Sequence, residues 1–475
     1  MWPILACLLT LATIYFTRLI YKRRNPSCKG NLPPGSLGLP LIGETLAFFA
    51  PYTASDLHPF VRKRIERYGP VFKTSVVGQP FIVSADEDLN HFIFQQEGRL
   101  FESWWPRAFK DTFGQQNVGH MHGVMYKYLK SLILSLFGVE SLKETLLHEM
   151  NLFVRRTLHE WVTKPSVEVK DGTAAMIFGL TAKKLISYED EQSLNSLRQS
   201  FVAFVDGLIS FPLDIPGTAH HKCMEGRRNA MKVLREMLHD RQKNPQENRK
   251  RDFFDRVIDE LNKEKSLLTE GIALDLMFIL LFASFETTSL ALTLALKYLI
   301  DHPQVLAKVT EEQEKILKKR EDPNASITWT EYKSMSFTFQ VINETLRLAN
   351  IAPGIFRKAL QDIEIKGYTI PAGWPIMVCP PAVHLNPKTY EDPLKFDPGR
   401  WEGLDTNGGS KNFMAFGGGM RFCVGADFSK LQMCIFLHHL VTKYRWEAVK
   451  GGETERRPGL AFPNGFHIHL MEKHK

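Results

Sequence analysis

The chain has few cysteines for its size, and they are scattered. Six occur in 475 residues, at positions 7, 28, 223, 379, 423 and 434. They form no Cys-x-x-Cys pair and no disulfide-framework spacing, which fits a reducing compartment. There is no Walker loop and no Gly-x-Gly-x-x-Gly fingerprint, so the chain carries no nicotinamide or flavin site of its own. A basic stripe interleaved with aromatics is also missing, which argues against a nucleic-acid partner. No repeat, low-complexity linker or compositional break follows residue 45, so residues 46–475 read as one large domain.

What is present first is an apolar start. Residues 2–20 read WPILACLLTLATIYFTRLI, broken only by Arg18, whose charge can snorkel to an interface. Lys22, Arg23 and Arg24 follow at once, and by the positive-inside rule they hold the downstream chain in the cytoplasm. Basic charge before the run and small residues at a cut site are both lacking, so an uncleaved anchor over residues 1–24 is favoured over a signal peptide. Residues 25–45 include LPPGSLGLPLIG, a stiff proline-rich hinge that cannot continue a helix. The composition is 44% hydrophobic, ample for a large core, and the formal charge of +8 suits an anionic membrane surface or an acidic protein partner.

Helical periodicity dominates the rest. Helices are expected over 59–68, 125–137, 140–163, 194–210, 225–241, 252–262, 269–300, 329–348 and 426–442. Strands are expected over 71–77 and 81–84, and short β-rich text over 351–400. The fold class is mainly α with a small β-sheet region.

The most informative stretch is Phe416–Gly425, FGGGMRFCVG. A thiolate in a glycine-rich loop can bind haem iron and favour O–O cleavage on the opposite face. Gly417, Gly418 and Gly419 would let the backbone pass close under a porphyrin. Arg421 offers a fork of donors to a haem propionate, and Gly425 leaves room for the following helix to start against the ring. Phe416, Gly419, Arg421, Cys423 and Gly425 fill every fixed position of Phe-x-x-Gly-x-Arg-x-Cys-x-Gly. The loop thereby resembles the haem-binding loop of the cytochrome P-450 superfamily.

That resemblance implies the family fold, with haem b between a long distal helix and the Cys423 loop, and Cys423 as the iron ligand. It also organises three other motifs. Ala283-Ser-Phe-Glu-Thr-Thr288 resembles the distal motif, with Glu286 in the acid position and Thr287 in the alcohol position for proton relay through water. Ser284 departs from the family's glycine, which puts the geometry of the oxygen pocket in question. Glu344 and Arg347 share a helix face at i, i+3, and with Arg400 they resemble a structural ion-pair triad beneath the proximal loop. Arg357 matches a propionate-binding position. Tyr126 and Lys130 stand where many members carry Trp or His and then Arg, and Lys can pair only as a point charge.

The resemblance covers the chain from hinge to carboxyl end. LPLIGET, FPLDIPGTAHHKC and NFMAFGGGMRFCVGADFSK are similar to a plant microsomal group that oxidises sterols, brassinosteroids and triterpenoids. It implies O2 as co-substrate, electrons from NADPH–cytochrome P-450 reductase, and an endoplasmic reticulum membrane location with the catalytic domain in the cytosol. Lys127 and Lys430 are expected to face that acidic partner. Substrate contacts are expected from Trp104, Trp105, Phe109, Phe278, Phe282, Phe285, Ile355 and Phe462, although for any one of the aromatics core packing is the more frequent role. The expected reaction is hydroxylation of a sterol or triterpenoid scaffold, with successive oxidations and side-chain cleavage left open. Two alternatives remain: a haem-thiolate isomerase or dehydratase acting on a peroxide without a reductase, and a non-catalytic haem-dependent sterol binder.

Overall fold

A computed structural model describes residues 2–24, 28–54, 56–244, 251–322, 324–404, 410–457 and 459–473. Residue 1 of the expected anchor and residues 25–27 of the expected hinge lie outside the described residues.

Trp2–Arg24 is one helix; no residue of its apolar window is buried, and its end at Phe16, Leu19 and Ile20 lies beside Leu37–Leu41 of the proline-rich segment. A 20-residue apolar helix is long enough to cross a bilayer, so this one fits a membrane anchor. The distal helix Glu270–Asp301 passes the same test of length and composition, but two thirds of its apolar window is buried inside the protein, so it is a core helix. Thr269 caps it by accepting a hydrogen bond from Ile272 N.

The proline-rich segment lies along a strand edge rather than hanging free: Lys73 N donates to Pro34 O at 2.8 Å, and Gly43 bridges to Val76. Pro59–Tyr68 forms a helix, with proline at its first position and Gly69 ending it at φ 87°. A five-stranded sheet follows in the order Val71–Val76, Gln79–Ser84, Pro375–Val378, Ile355–Ala359 and Phe101–Ser103. Its last pair sets Ser103 opposite Arg357, which brings the segment before the distal helix up to the strand after the Glu344 helix.

Periodicity located most long helices, with the following differences from expectation. Helices Glu87–Gln95, Val169–Ile186 and Pro303–Lys318 were not anticipated. Val169–Ile186 is buried nearly all round, so it has no polar stripe to mark a period. The expected helix 329–348 is two, Trp329–Ser334 and Ser336–Ala349, because Met335 leaves helical geometry at ψ 56°. Residues 139–162 stay helical but pass through a π turn at Leu142–Leu146. The main core gathers around the distal helix and the helix Ala426–Lys443 that follows Cys423.

Candidate haem-thiolate site

The loop before Ala426–Lys443 is pinned by its own backbone: Cys423 N donates to Phe416 O at 3.0 Å, and Gly417 N to Met414 O at 2.9 Å. Cys423 is accessible on one side and enclosed by protein on the others. Enclosure governs its chemistry, because burial pushes its thiol above the ordinary range while the Gly425 N–H at the sulfur opposes that shift. A side chain at Gly425 would enter open space with only the Cys423 Sγ, 3.9 Å away, near it.

Two of the glycines before the cysteine are required by a protein neighbour that the sequence did not mark. A Cβ on Gly418 would lie 2.6 Å from the Phe94 ring, and one on Gly419 would lie 2.1 Å from Phe94 O. Those two positions let the loop press onto the end of helix Glu87–Gln95. Gly417, at φ 74°, is the one beside Ile355, whose Cδ1 would be 3.7 Å from an added Cβ.

On the distal helix, Ala283 and Thr287 are exposed although the residues on either side of that stretch are buried. Spacing of i, i+4 puts both on one face. The Thr288 and Ser429 hydroxyls meet at 3.0 Å, so this accessible stretch lies beside the start of the helix that follows Cys423. Thr287 Oγ1 donates to Ala283 O at 3.2 Å, and Ser284 Oγ to Leu281 O at 3.0 Å. Glu286 is mostly buried and pairs with Lys170 Nζ at 3.0 Å, a partner that no motif in the sequence marked.

Below the loop, Glu344 is the hub of a dry network. Its carboxylate accepts from Arg347 Nε and Nη2 at 2.9 and 2.8 Å, from Arg400 Nε at 3.0 Å and from Trp401 Nε1 at 2.9 Å. Arg347 Nη1 also donates to His384 O and Pro393 O, which ties the helix Ser336–Ala349 to the strap before the cysteine loop.

Four residues expected at the propionates converge on one spot. Arg421 Nε is 2.5 Å and Arg357 Nε 2.6 Å from the two oxygens of Glu97, another residue that no motif marked. Arg421 stacks on the Tyr126 ring at 4.1 Å. Tyr126 OH and Lys130 Nζ both donate to Met420 O, at 3.4 and 2.7 Å. Burial pushes the Arg357 guanidinium below its ordinary range, with Glu97 opposing and Arg421 adding to that shift. Burial likewise lowers Lys130, with Arg421 adding.

This donor set fits an anionic cofactor. The Glu97–Arg357 contact is close but misaligned, leaving Glu97 Oε2 and Arg357 Nε without a hydrogen-bond partner. No hydrogen bond within the described residues engages Arg421 Nη1 or Arg357 Nη2. Two guanidinium groups therefore share one carboxylate with the Lys130 ammonium close by, and open donors remain for an acid group to bind.

The expected substrate contacts divide. Trp105, Phe109, Phe113 and Phe282 form a chain of ring contacts at 5.3–5.9 Å that joins the segment after Ser103 to the distal helix. Trp104 packs on Phe356. Phe462 packs around Leu294, Ala349 and Ile351. Phe278 and Phe285 are corrected to core residues: they are 0% and 1% exposed, and both pack against Phe201. Phe416 lies under the Lys430 ammonium at 5.7 Å, and Lys127 is exposed.

Comparison with known proteins adds to this geometry. The family model described as Cytochrome P450 matches residues 33–467. A rice protein, Cytochrome P450 87A3 of Oryza sativa subsp. japonica, is 62% identical over 96% of this chain and 89% of its own. Cucurbitadienol 11-hydroxylase of Siraitia grosvenorii is 42% identical over the whole of both chains. The solved structure of retinoic acid bound cyanobacterial CYP120A1 superposes with a TM-score of 0.82 at 27% identity, covering 94% of this chain and 100% of that one.

Proposed function

The chain belongs to the cytochrome P450 family, whose members are monooxygenases that bind haem iron through a cysteine thiolate, and on that premise we propose that it hydroxylates a sterol or triterpenoid skeleton at a membrane surface. The observation that carries the substrate class is the full-length likeness to a cucurbitadienol hydroxylase. The ring chain Trp105–Phe109–Phe113–Phe282 supports it, because a rigid apolar wall suits a large apolar skeleton better than a small polar one. The reading extends to endoplasmic reticulum anchoring through Trp2–Tyr21, electrons from NADPH–cytochrome P-450 reductase, and successive oxidation that can end in side-chain cleavage.

Bound haem supplies oxygen activation, with sulfur electron density favouring O–O cleavage. The chain's own residues do the rest. Cys423 would ligate the iron, and the Gly425 N–H at its sulfur would temper the charge that sulfur donates. Arg357, Arg421, Tyr126 and Lys130 would hold the propionate edge. Thr287, on the accessible face, would hold a water at the reacting oxygen, and Glu286 would replenish its proton. Glu344, Arg347 and Arg400 would keep the proximal strap in place.

The test is product formation in yeast expressing the full chain with a plant reductase, fed sterols and triterpene alcohols. A hydroxylated product that disappears in Cys423→Ala supports the reading. A functional reductase with no product from any of these substrates overturns the substrate class.

A further inference from the structure

Glu97 belongs to no motif, yet it sits where the cofactor edge is expected. It follows helix Glu87–Gln95 in a tight return, with Gly98 at φ 80° and Gly98 N donating to Phe101 O at 2.7 Å. Its Oε1 also accepts from Ser103 N at 3.1 Å, on the strand that pairs Ser103 with Arg357. Its side chain is 2% exposed, and those of Arg357 and Arg421 are 5% and 8% exposed. A carboxylate this dry, shared by two guanidinium groups from different elements, fixes the spacing between them.

We infer that Glu97 is a positioning residue for haem: it spaces Arg357 and Arg421 for the two propionates and supplies the third negative charge of the cluster. The inference rests on the haem-thiolate reading. Arg357, Arg421 and Lys130 bring three positive charges; Glu97 and two propionates bring three negative ones. Glu97 engages both Nε groups and leaves an η nitrogen open on each arginine, so the arginines are held by one anion while they present donors to another. Without Glu97 the bound cluster carries one net positive charge. Positive charge near the ring favours the reduced iron, which carries one less positive charge than the oxidised form, so Glu97 lowers the ferric/ferrous midpoint. It also slows haem escape, because arginines without a shared anchor separate.

The test uses the full-length protein purified with haem. The carbon monoxide band reports whether thiolate haem is present, and so checks the underlying reading independently. Two variants separate charge from reach. Glu97→Gln removes the charge; its midpoint is expected to rise, and haem transfer to excess apomyoglobin to quicken about tenfold, the size of one lost buried charge-assisted contact. Glu97→Asp keeps the charge but shortens the arm; its midpoint stays near wild type while transfer quickens. A haem-loaded Glu97→Gln protein with the wild-type midpoint overturns the inference, even if transfer changes, because a purely structural residue would produce that result. Should Glu97→Gln take up no haem, the double-mutant cycle of Glu97→Asp with Arg357→Lys on haem transfer decides. Non-additive effects support the shared anchor and additive ones overturn it.

Discussion

Lys170 Nζ and Glu286 Oε1 lie 3.0 Å apart, so the acid of the distal motif is held as an ion pair by the neighbouring helix Val169–Ile186. An acid in this position can relay protons only while its carboxyl group can give a proton up and take one back from water. Glu286→Gln is expected to cut product formation by about 10²-fold, the usual loss on removing a general acid. Lys170→Met keeps the carboxyl that carries the proton and should cost far less, because the lysine only holds that carboxyl in place. Product and hydrogen peroxide, each measured per NADPH consumed, distinguish the two; equal losses in both variants would contradict the assignment.

Ser284 stands where the family carries glycine, but its hydroxyl is already committed to Leu281 O. It adds bulk to this stretch of the helix without leaving an unpaired polar group. Ser284→Gly is therefore expected to retain product within several-fold and to lower stability by about 0.5–1 kcal/mol through added backbone freedom. Titration of product per NADPH together with a thermal melt checks both halves, and abolished turnover in Ser284→Gly would show that the hydroxyl has a direct catalytic part.

The Glu344 hub predicts a folding defect rather than a kinetic one. Glu344→Ala strands the fully buried Arg347 guanidinium, a change worth about 3–5 kcal/mol. The expected result is protein with little or no carbon monoxide band of a thiolate haem. Normal haem content in Glu344→Ala would show that the triad is dispensable for the proximal strap.

Buried neutral histidines make the fold acid-sensitive. His384 donates through Nδ1 to Asn350 Oδ1 at 2.7 Å and accepts from Met414 N through Nε2 at 3.0 Å, and burial lowers its pKa to about 3. His438, bonded to Gln313 Oε1 at 2.7 Å, is likewise lowered by burial to about 3. In the unfolded chain each takes its proton near 6.5. Between about 3 and 6.5 the unfolded state binds more protons, so stability is present above that window and drains away as pH falls through it. Urea midpoints from pH 7 to pH 4 should fall, and the fall should be shallower in His438→Gln. An unchanged slope in that variant would contradict the assignment of a buried neutral imidazole.

The sequence made Cys423, the distal motif and the Glu344–Arg347 pair legible because each is local: a short fixed spacing on one loop or helix. It was silent on Glu97 and Lys170, since both act across more than a hundred residues of chain and only folding brings them to Arg421 and Glu286. Aromatic spacing alone misplaced Phe278 and Phe285. Residues at i, i+4 and i+7 share a face, but that face turns toward Phe201 and Phe178 at these two positions and toward Phe113 at Phe282. Gly418 and Gly419 show the same limit, because close approach is readable in a glycine run while the neighbour, here Phe94, is not.

The central claim is that Cys423 anchors a haem that oxidises a sterol or triterpenoid. The most direct measurement is mass-spectrometric product analysis in yeast carrying a plant reductase, with wild type and Cys423→Ala each fed cholesterol, a plant sterol and triterpene alcohols. The account predicts a new oxygenated or side-chain-shortened product from wild type alone. The same product from Cys423→Ala, or none from wild type that shows the thiolate carbon monoxide band, would contradict it.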